Sequence, residues 1–269
     1  EKGKFLLTDP VAEYLPEFGD MAVRKTVEGR EELVKAETPI TVGHLFSMTA
    51  GLDYDLETPA IQKVREQTAG ACPTREVMKA IAQQTLSFEP GTHWQYSLCH
   101  DVLGGLVEVV SGKRFGEYLK EHIFEPVGMN RTSFAFDKEV EQKMASQYIY
   151  RDELGRYEQI GKENCFRLGH DYESGGAGLI SCTDDYGRFV NALCNDGKTA
   201  GGEQILSRAT IDLMRLNHLG KTALPDFNWP HLQGYGYGLG VRTMIARARG
   251  GALSPVGEFG WDGAAGAYA

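Results

Sequence analysis

Pro39-Ile40-Thr41-Val42-Gly43-His44-Leu45-Phe46-Ser47-Met48-Thr49-Ala50-Gly51-Leu52 reads as a short helix with marked ends. Thr41 offers a side-chain oxygen to the free N–H groups of a first turn, so a helix is expected from Val42 to Met48, stopped by Gly51. Toward the N-terminus, Ala22 to Glu37 alternates apolar and polar residues around Glu28-Gly29-Arg30, the pattern of a small exposed hairpin. Before it, Asp9-Pro10 can open a short helix, Asp as the cap and Pro in a first turn that does not need its N–H. Glu1-Lys2-Gly3-Lys4 reads as the tail of a helix, with Gly3 in the left-handed terminal position. Toward the C-terminus a helix is expected over Pro73 to Thr85, with Val77, Met78 and Ile81 on one face, and Glu89-Pro90-Gly91-Thr92 is a tight turn. Leu103, Leu106, Val107 and Val110 recur at helical spacing as far as Gly112, and Phe115, Leu119 and Ile123 repeat the pattern. Thr8 to Gly128 is therefore mainly helical.

From Ser174 the texture changes. Gly175-Gly176-Ala177-Gly178-Leu179-Ile180-Ser181 approaches a short strand, Thr183 caps a helix to about Asn195, and Ser207 caps one to Leu216. Tyr235 to Thr243 and Phe259 to Ala269 read as strands interrupted by glycines, as happens where backbones or ligands pass closely. There is no internal repeat and no low-complexity linker.

The 269 residues are 42% hydrophobic and 24% charged, enough for a full core. With 28 Lys+Arg against 37 Asp+Glu the net charge is -9, and no basic block is present, which argues against a nucleic-acid or anionic-membrane surface. Even the mainly apolar stretch Val102 to Val110, interrupted by Glu108, falls short of the roughly 18 residues of a membrane span. Cys72, Cys99, Cys165, Cys182 and Cys194 form an odd, scattered set without a C-x-x-C pair. Buried free thiols in a reducing, cytoplasmic compartment are the expectation.

Several stock motifs are absent. The Gly-Lys-Thr triplets at Gly197 and Gly220 have Ala192 and Arg215 where a phosphate loop needs its first Gly. Ser174 has Tyr172 in place of the first Gly of a G-x-S-x-G elbow. No His pair has metal-ligand spacing beside a Glu, so neither a metal nor another cofactor is expected.

Six phrases remain in one order: Pro39 to Leu52, Phe88-Glu89-Pro90-Gly91-Thr92-His93-Trp94-Gln95-Tyr96-Ser97, Phe124 to Met129, Gly175 to Ser181, Tyr235-Gly236-Tyr237-Gly238-Leu239-Gly240 and Gly260-Trp261-Asp262-Gly263. Together they resemble the serine β-lactamase-like hydrolases, the superfamily of class C β-lactamases, D,D-peptidases and family VIII carboxylesterases. The likeness covers nearly the whole chain. It implies an α/β plus all-α fold of the β-lactamase/transpeptidase type, with an incomplete antiparallel sheet beside a largely helical region. Residues 1–8 would end the nucleophile helix and lead into the helical region, 9–173 would form the mainly helical domain with its hairpin, and 174–269 the sheet side.

In this superfamily a Ser in S-x-x-K is the nucleophile, its Lys lying one helical turn later, and a Tyr of a Y-x-N loop shuttles the proton. By its surroundings Tyr96 matches that tyrosine and is expected to act as base and acid; the bland alternative is a packed aromatic. Leu98 stands where Asn is usual and removes an amide able to bind an acyl carbonyl, which disfavours a β-lactam. His100 and Asp101 follow, as polar contacts for a substrate or as a solvated helix start. Trp261-Asp262-Gly263 occupies the place of the K-T-G strand and is similar to the esterase branch. An indole gives a flat apolar wall with one donor where Lys would attract a carboxylate, so small neutral esters fit better. A core role is the alternative for Trp261. By the same resemblance Gly263 lines the site and the backbone N–H of Ala264 forms half of the oxyanion hole, a donor worth about 3 kcal/mol of transition-state stabilisation.

No serine of this sequence has Lys three positions later; the nearest approach is Ser111-Gly112-Lys113. The resemblance places the S-x-x-K helix just before Glu1-Lys2-Gly3-Lys4, and further strands after the W-x-G segment. The expectation is a chain cut at both ends, inactive and poorly stable by itself, with unpaired sheet edges. The expected activity of the complete protein is hydrolysis of small carboxylic esters through an acyl-serine. β-Lactamase, D-amino-acid peptidase and acyltransferase remain the variants, acting on a small ester or amide. A binding module without a nucleophile is the rival of a different class.

Overall fold

The computed structural model describes residues 1–161, 167–263 and 269. β1 (Ala22–Val27) and β2 (Arg30–Lys35) pair antiparallel in the register Ala22↔Lys35 to Val27↔Arg30. The turn residues Glu28 and Gly29 have φ of 49° and 79°, both left-handed, as a two-residue turn matched to strand twist requires. The hairpin leans on the core through fully buried Val23, and the N–H of Arg24 donates to Leu86 O at 3.0 Å.

α1 (Val42–Phe46) starts as expected at Thr41. Its hydroxyl accepts from the N–H of His44, whose Nδ1 in turn accepts from the N–H of Thr41, both at 3.2 Å. The helix ends earlier than its spacing predicts, because Met48 is already left-handed at φ 58°. α2 (Pro59–Gln67), capped by Thr58, and α3 (Thr74–Ile81) lead to α4 (Cys99–Ser111), which Gly112 ends. α5 (Phe115–Leu119) runs through a π-helical turn into α6 (Glu125–Val127). α7 (Lys138–Lys143) is capped by Asp137.

Several expectations fail in detail. Asp9 caps nothing: the first helical turn, Val11–Glu13, follows Pro10, and the Asp9 carboxylate instead accepts from Leu6 N and Tyr14 Oη, each at 2.7 Å. A second hairpin, β3 (Gln147–Arg151) and β4 (Arg156–Ile160), has no counterpart in the sequence reading. Gly175 to Ser181 does not become a strand; Ile180 makes one isolated antiparallel pair with Ser133. α8 (Thr183–Cys194) is preceded by Cys182, so Thr183 is its first helical residue and not its cap. α9 (Arg208–Met214) does carry the Ser207 cap.

The segment Tyr235 to Thr243 folds back on itself, giving β5 (Tyr235–Tyr237) and β6 (Arg242–Met244), with Gly238 N donating to Val241 O at 2.7 Å. After α10 (Arg247–Gly250) comes β7 (Phe259–Gly260), and the three strands form an antiparallel sheet in the order β5-β6-β7. One hydrophobic cluster runs from Val11 through α1, α3 and α4 to Leu219, Phe227, Leu232 and Tyr237. Helical region and sheet side thus share a core, and their meeting line carries the site.

Candidate active site

Tyr96 lies on a segment without regular structure, and backbone bonds hold that segment in place. The loop after α1 presents successive carbonyls to it. Gly51 O accepts from Ser87 N at 2.8 Å, Thr49 O from Gly91 N at 2.8 Å, Met48 O from Gln95 N at 3.0 Å and Asp53 O from Leu98 N at 3.0 Å. Gly51 is required here twice over: its φ is 86°, and a Cβ would lie 2.5 Å from the carbonyl oxygen of Phe88. The opposite flank is fixed by Asp226, whose Oδ2 accepts from Trp94 N at 3.1 Å and meets His93 Nδ1 at 2.9 Å.

Around Tyr96 the chain assembles an aromatic box. The ring is stacked between Tyr54, at 5.6 Å and 7°, and Trp261, at 5.4 Å and 14°, with Trp229 tilted at 6.1 Å. Trp94 and Tyr237 close it from beneath, each edge-on to its neighbours. Trp261 continues from β7, and its backbone exchanges hydrogen bonds with Ala269 at 3.0 and 3.2 Å. The structure therefore brings together two residues 165 positions apart that the sequence singled out separately, Tyr96 and Trp261. Gly263 is exposed at the end of the same segment, while Ala264 lies outside the described residues.

The other candidates are placed differently. Leu98 is 1% exposed and belongs to the core, so its side chain is not presented to a ligand. His100 is half-buried rather than a freely solvated helix start: Nε2 lies 3.5 Å from Phe46 O, and Gly240 sits against the ring. Burial lowers its pKa to about 4, against a weaker upward pull from Phe46 O, and the ring is neutral at pH 7. Asp101 is likewise no solvated helix start. It is 1% exposed, and its Oδ1 accepts from Tyr172 Oη and Ser174 Oγ, both at 2.5 Å. These contacts tie the Tyr172 to Ala177 segment to the first turn of α4.

Burial pushes the Tyr96 phenol above its ordinary range; the Trp261 side chain draws it down and the Asp101 charge pushes it up again. None of these influences comes from a cation. Two buried tyrosines, Tyr237 and Tyr172, are poorer proton carriers. Burial holds Tyr237 well above the ordinary range, and Tyr172 is held there by burial and by Asp101. Of the three, Tyr96 alone is not fully enclosed.

The sequence reading did not find Tyr54, Trp229 or Asp226. Tyr54 had a signal, lying two residues after the Leu52 that closes the first phrase; Asp226 ends the short 3-10 turn Leu224–Asp226 and Trp229 follows it, and neither carries one. Among the described residues no group of three or more His, Cys, Asp or Glu could hold a metal, and no helix is long and apolar enough to cross a membrane. Cys72 and Cys99 are buried free thiols as expected, whereas Cys182 is partly exposed and Cys194 exposed; Cys165 lies outside the described residues.

Comparison with known proteins gives a consistent picture. The family model Beta-lactamase matches residues 1–269, and the chain belongs to that family. It is 27% identical to Esterase EstB of Burkholderia gladioli over 285 residues, covering 97% of this chain and 66% of the relative. Among solved structures it resembles EstCE1, described as a hydrolase with promiscuous acyltransferase activity, with TM-score 0.73 and 28% identity over 97% of this chain and 68% of that one. Unliganded simvastatin synthase (LovD) from Aspergillus terreus shares the fold, with TM-score 0.74 at 22% identity, 95% of this chain and 66% of that one. The chain thus spans about two thirds of the length of each.

Proposed function

We propose, from membership in that family, that this chain supplies the proton-shuttling tyrosine and the acyl-pocket wall of a serine hydrolase that cleaves small carboxylic esters through an acyl-serine intermediate. The observation that carries the reading is the Tyr54–Tyr96–Trp261 stack, which presents a phenol at a desolvated aromatic surface. The family reaction begins when a serine Oγ adds to the ester carbonyl while the tyrosine phenolate takes the hydroxyl proton. The tetrahedral intermediate collapses, the alkoxide leaves with that proton, and acyl-serine remains. Water then adds in the same way, Tyr96 accepting its proton and returning one to the serine.

A phenolate at Tyr96 needs a nearby positive charge, because burial and Asp101 both disfavour it. The Lys of an S-x-x-K helix supplies such a charge in this family, and no serine between Glu1 and Ala269 has Lys three positions on. The reading therefore places the nucleophile and its Lys before residue 1, with the N–H of Ala264 as one oxyanion donor. Trp261 in place of a cationic side chain favours a neutral acyl group over a carboxylate-bearing one. Transfer of the acyl group to an alcohol is the second reading, supported by the acyltransferase activity named for EstCE1.

Turnover of p-nitrophenyl acetate and butyrate tests this. The full-length protein should hydrolyse both, its Tyr96→Phe variant should not, and the 269-residue chain by itself should be inactive. Clear turnover by the chain alone, lost on Tyr96→Phe, would mean that a different nucleophile operates.

A further inference from the structure

β7 is only two residues long, and Trp261 stands immediately beyond it. That ladder, with the paired backbone bonds of Trp261 to Ala269, fixes the main chain but not the direction of the side chain, yet the indole is held within 14° of the Tyr96 plane. The side chain beneath the strand explains how. Arg242, on β6 directly opposite Gly260, is 1% exposed and among the largest fully buried side chains of the protein. Its Nη1 donates to Asp262 Oδ1 at 3.0 Å, its Nη2 lies 3.4 Å from Glu258 Oε1, and its guanidinium carbon is 5.5 Å from the Tyr235 ring centre. The planar fork therefore grips the segment on both sides of β7, at Glu258 before it and at Asp262 just after Trp261. Asp262 Oδ2 also lies 3.3 Å from Nε2 of His231, in the loop that carries Trp229.

A buried ion pair is a poor way to gain stability, since apolar residues of similar volume often do as well. What a rigid two-pronged contact provides is a fixed direction. We propose that Arg242 and Asp262 are positioning residues that hold the Trp261 indole parallel to Tyr96 and so set how tightly the site grips the acyl group. Removing the Asp262 charge frees the segment to turn about β7, and the wall loses its orientation while Tyr96, anchored elsewhere, stays in place. The substrate-binding part of this inference rests on the ester-hydrolase reading; the geometric part does not.

Near-ultraviolet circular dichroism reads the geometry directly, because a stacked Tyr–Trp pair gives a coupled aromatic band. In the full-length protein that band is defined as the signal lost in Trp261→Phe. Asp262→Asn should lose most of it while the far-ultraviolet spectrum is unchanged. KM for p-nitrophenyl butyrate should rise roughly threefold or more with kcat within about twofold, the pattern of lost uniform binding. Arg242→Lys keeps the charge but not the fork and should show the same change in smaller measure; it decides the matter if Asp262→Asn does not fold. A full band in a folded variant overturns the proposal, because the pair then does not orient the indole. A lost band with wild-type KM overturns it as well, because orientation then has no bearing on the acyl group. If the parent protein hydrolyses no ester, that failure belongs to the functional reading, and the dichroism comparison decides the positioning.

Discussion

Tyr96 and Trp261 face each other at 5.4 Å, but the chain supports them by opposite means. The Tyr96 side has no regular structure of its own and is tied through backbone hydrogen bonds to the loop after α1, over a core of fully buried residues such as Leu45, Leu52 and Leu86. The Trp261 side is formally a sheet, but its last strand is two residues long; it is held by the backbone pair of Trp261 with Ala269 and by the buried Arg242 with its carboxylate partners. A loop can be the rigid partner when its polar backbone groups are satisfied, and a strand the adjustable one when its ladder is short. On the proposed reading, that division keeps the proton carrier still while the acyl-side wall can adjust.

The difference is broken most completely at Tyr96 itself. Tyr96→Phe keeps the stacking and should leave the melting temperature of the full-length protein nearly unchanged, yet lower kcat/KM by about 10²–10⁴-fold, the usual worth of a positioned acid–base group. Unchanged turnover would reduce the aromatic box to packing.

Next in size is an effect at the line where the two sides meet, where His100 lies between Phe46 O and Gly240. Its pKa is about 4 in the fold against an ordinary 6.5, so the unfolded chain takes up a proton that the folded one refuses. Stability is therefore fully present above pH 6.5 and is lost as pH falls toward 4, by at most about 3 kcal/mol. Urea unfolding at pH 7 and pH 4.5 should show this loss in the parent and a smaller one in His100→Gln; an equal loss in both would remove His100 as its source.

The rigidity of the Tyr96 side is sharpened by Gly51→Ala, which sets a Cβ 2.5 Å from Phe88 O at a left-handed φ. A destabilisation of roughly 2 kcal/mol is expected, in the range of overpacking and backbone strain. The smallest change is Thr41→Ala, about 1 kcal/mol from the missing cap, since only the backbone half of the capping box then remains, from the N–H of residue 41 to His44 Nδ1. Thermal unfolding orders the two, and a larger effect at Thr41 would show that α1 and not the loop behind it carries the rigidity.

Legibility in the sequence follows the same division. The Thr41 cap, the hairpin at Glu28-Gly29 and α4 up to Gly112 are written in local residue chemistry and were readable, whereas α1 ends at Phe46, before the expected stop at Gly51. Tyr96 was singled out through the family resemblance of the phrase around it, and the structure brings it against Trp261. The β3–β4 hairpin was not readable: Tyr148, Ile149 and Tyr150 are all exposed, so no alternation marks the strand, and its turn through Asp152–Leu154 carries no two-residue signal. Thr183 looked like a cap, but the helix begins one residue earlier in its count. Leu98 and His100 were named for their place after Tyr96, whereas burial decides what they do. Tyr54, Trp229, Asp226 and Arg242 act through contacts between distant segments, which spacing along one chain does not encode.

The central claim is that Tyr96 serves a serine that precedes residue 1. The most direct test is to label the full-length protein with a fluorophosphonate and locate the adduct by peptide mass spectrometry. One adduct is expected, on a Ser followed three residues later by Lys in the segment before Glu1, with labelling strongly slowed in Tyr96→Phe. An adduct on any serine between Glu1 and Ala269, or none in a protein that still hydrolyses esters, would contradict it.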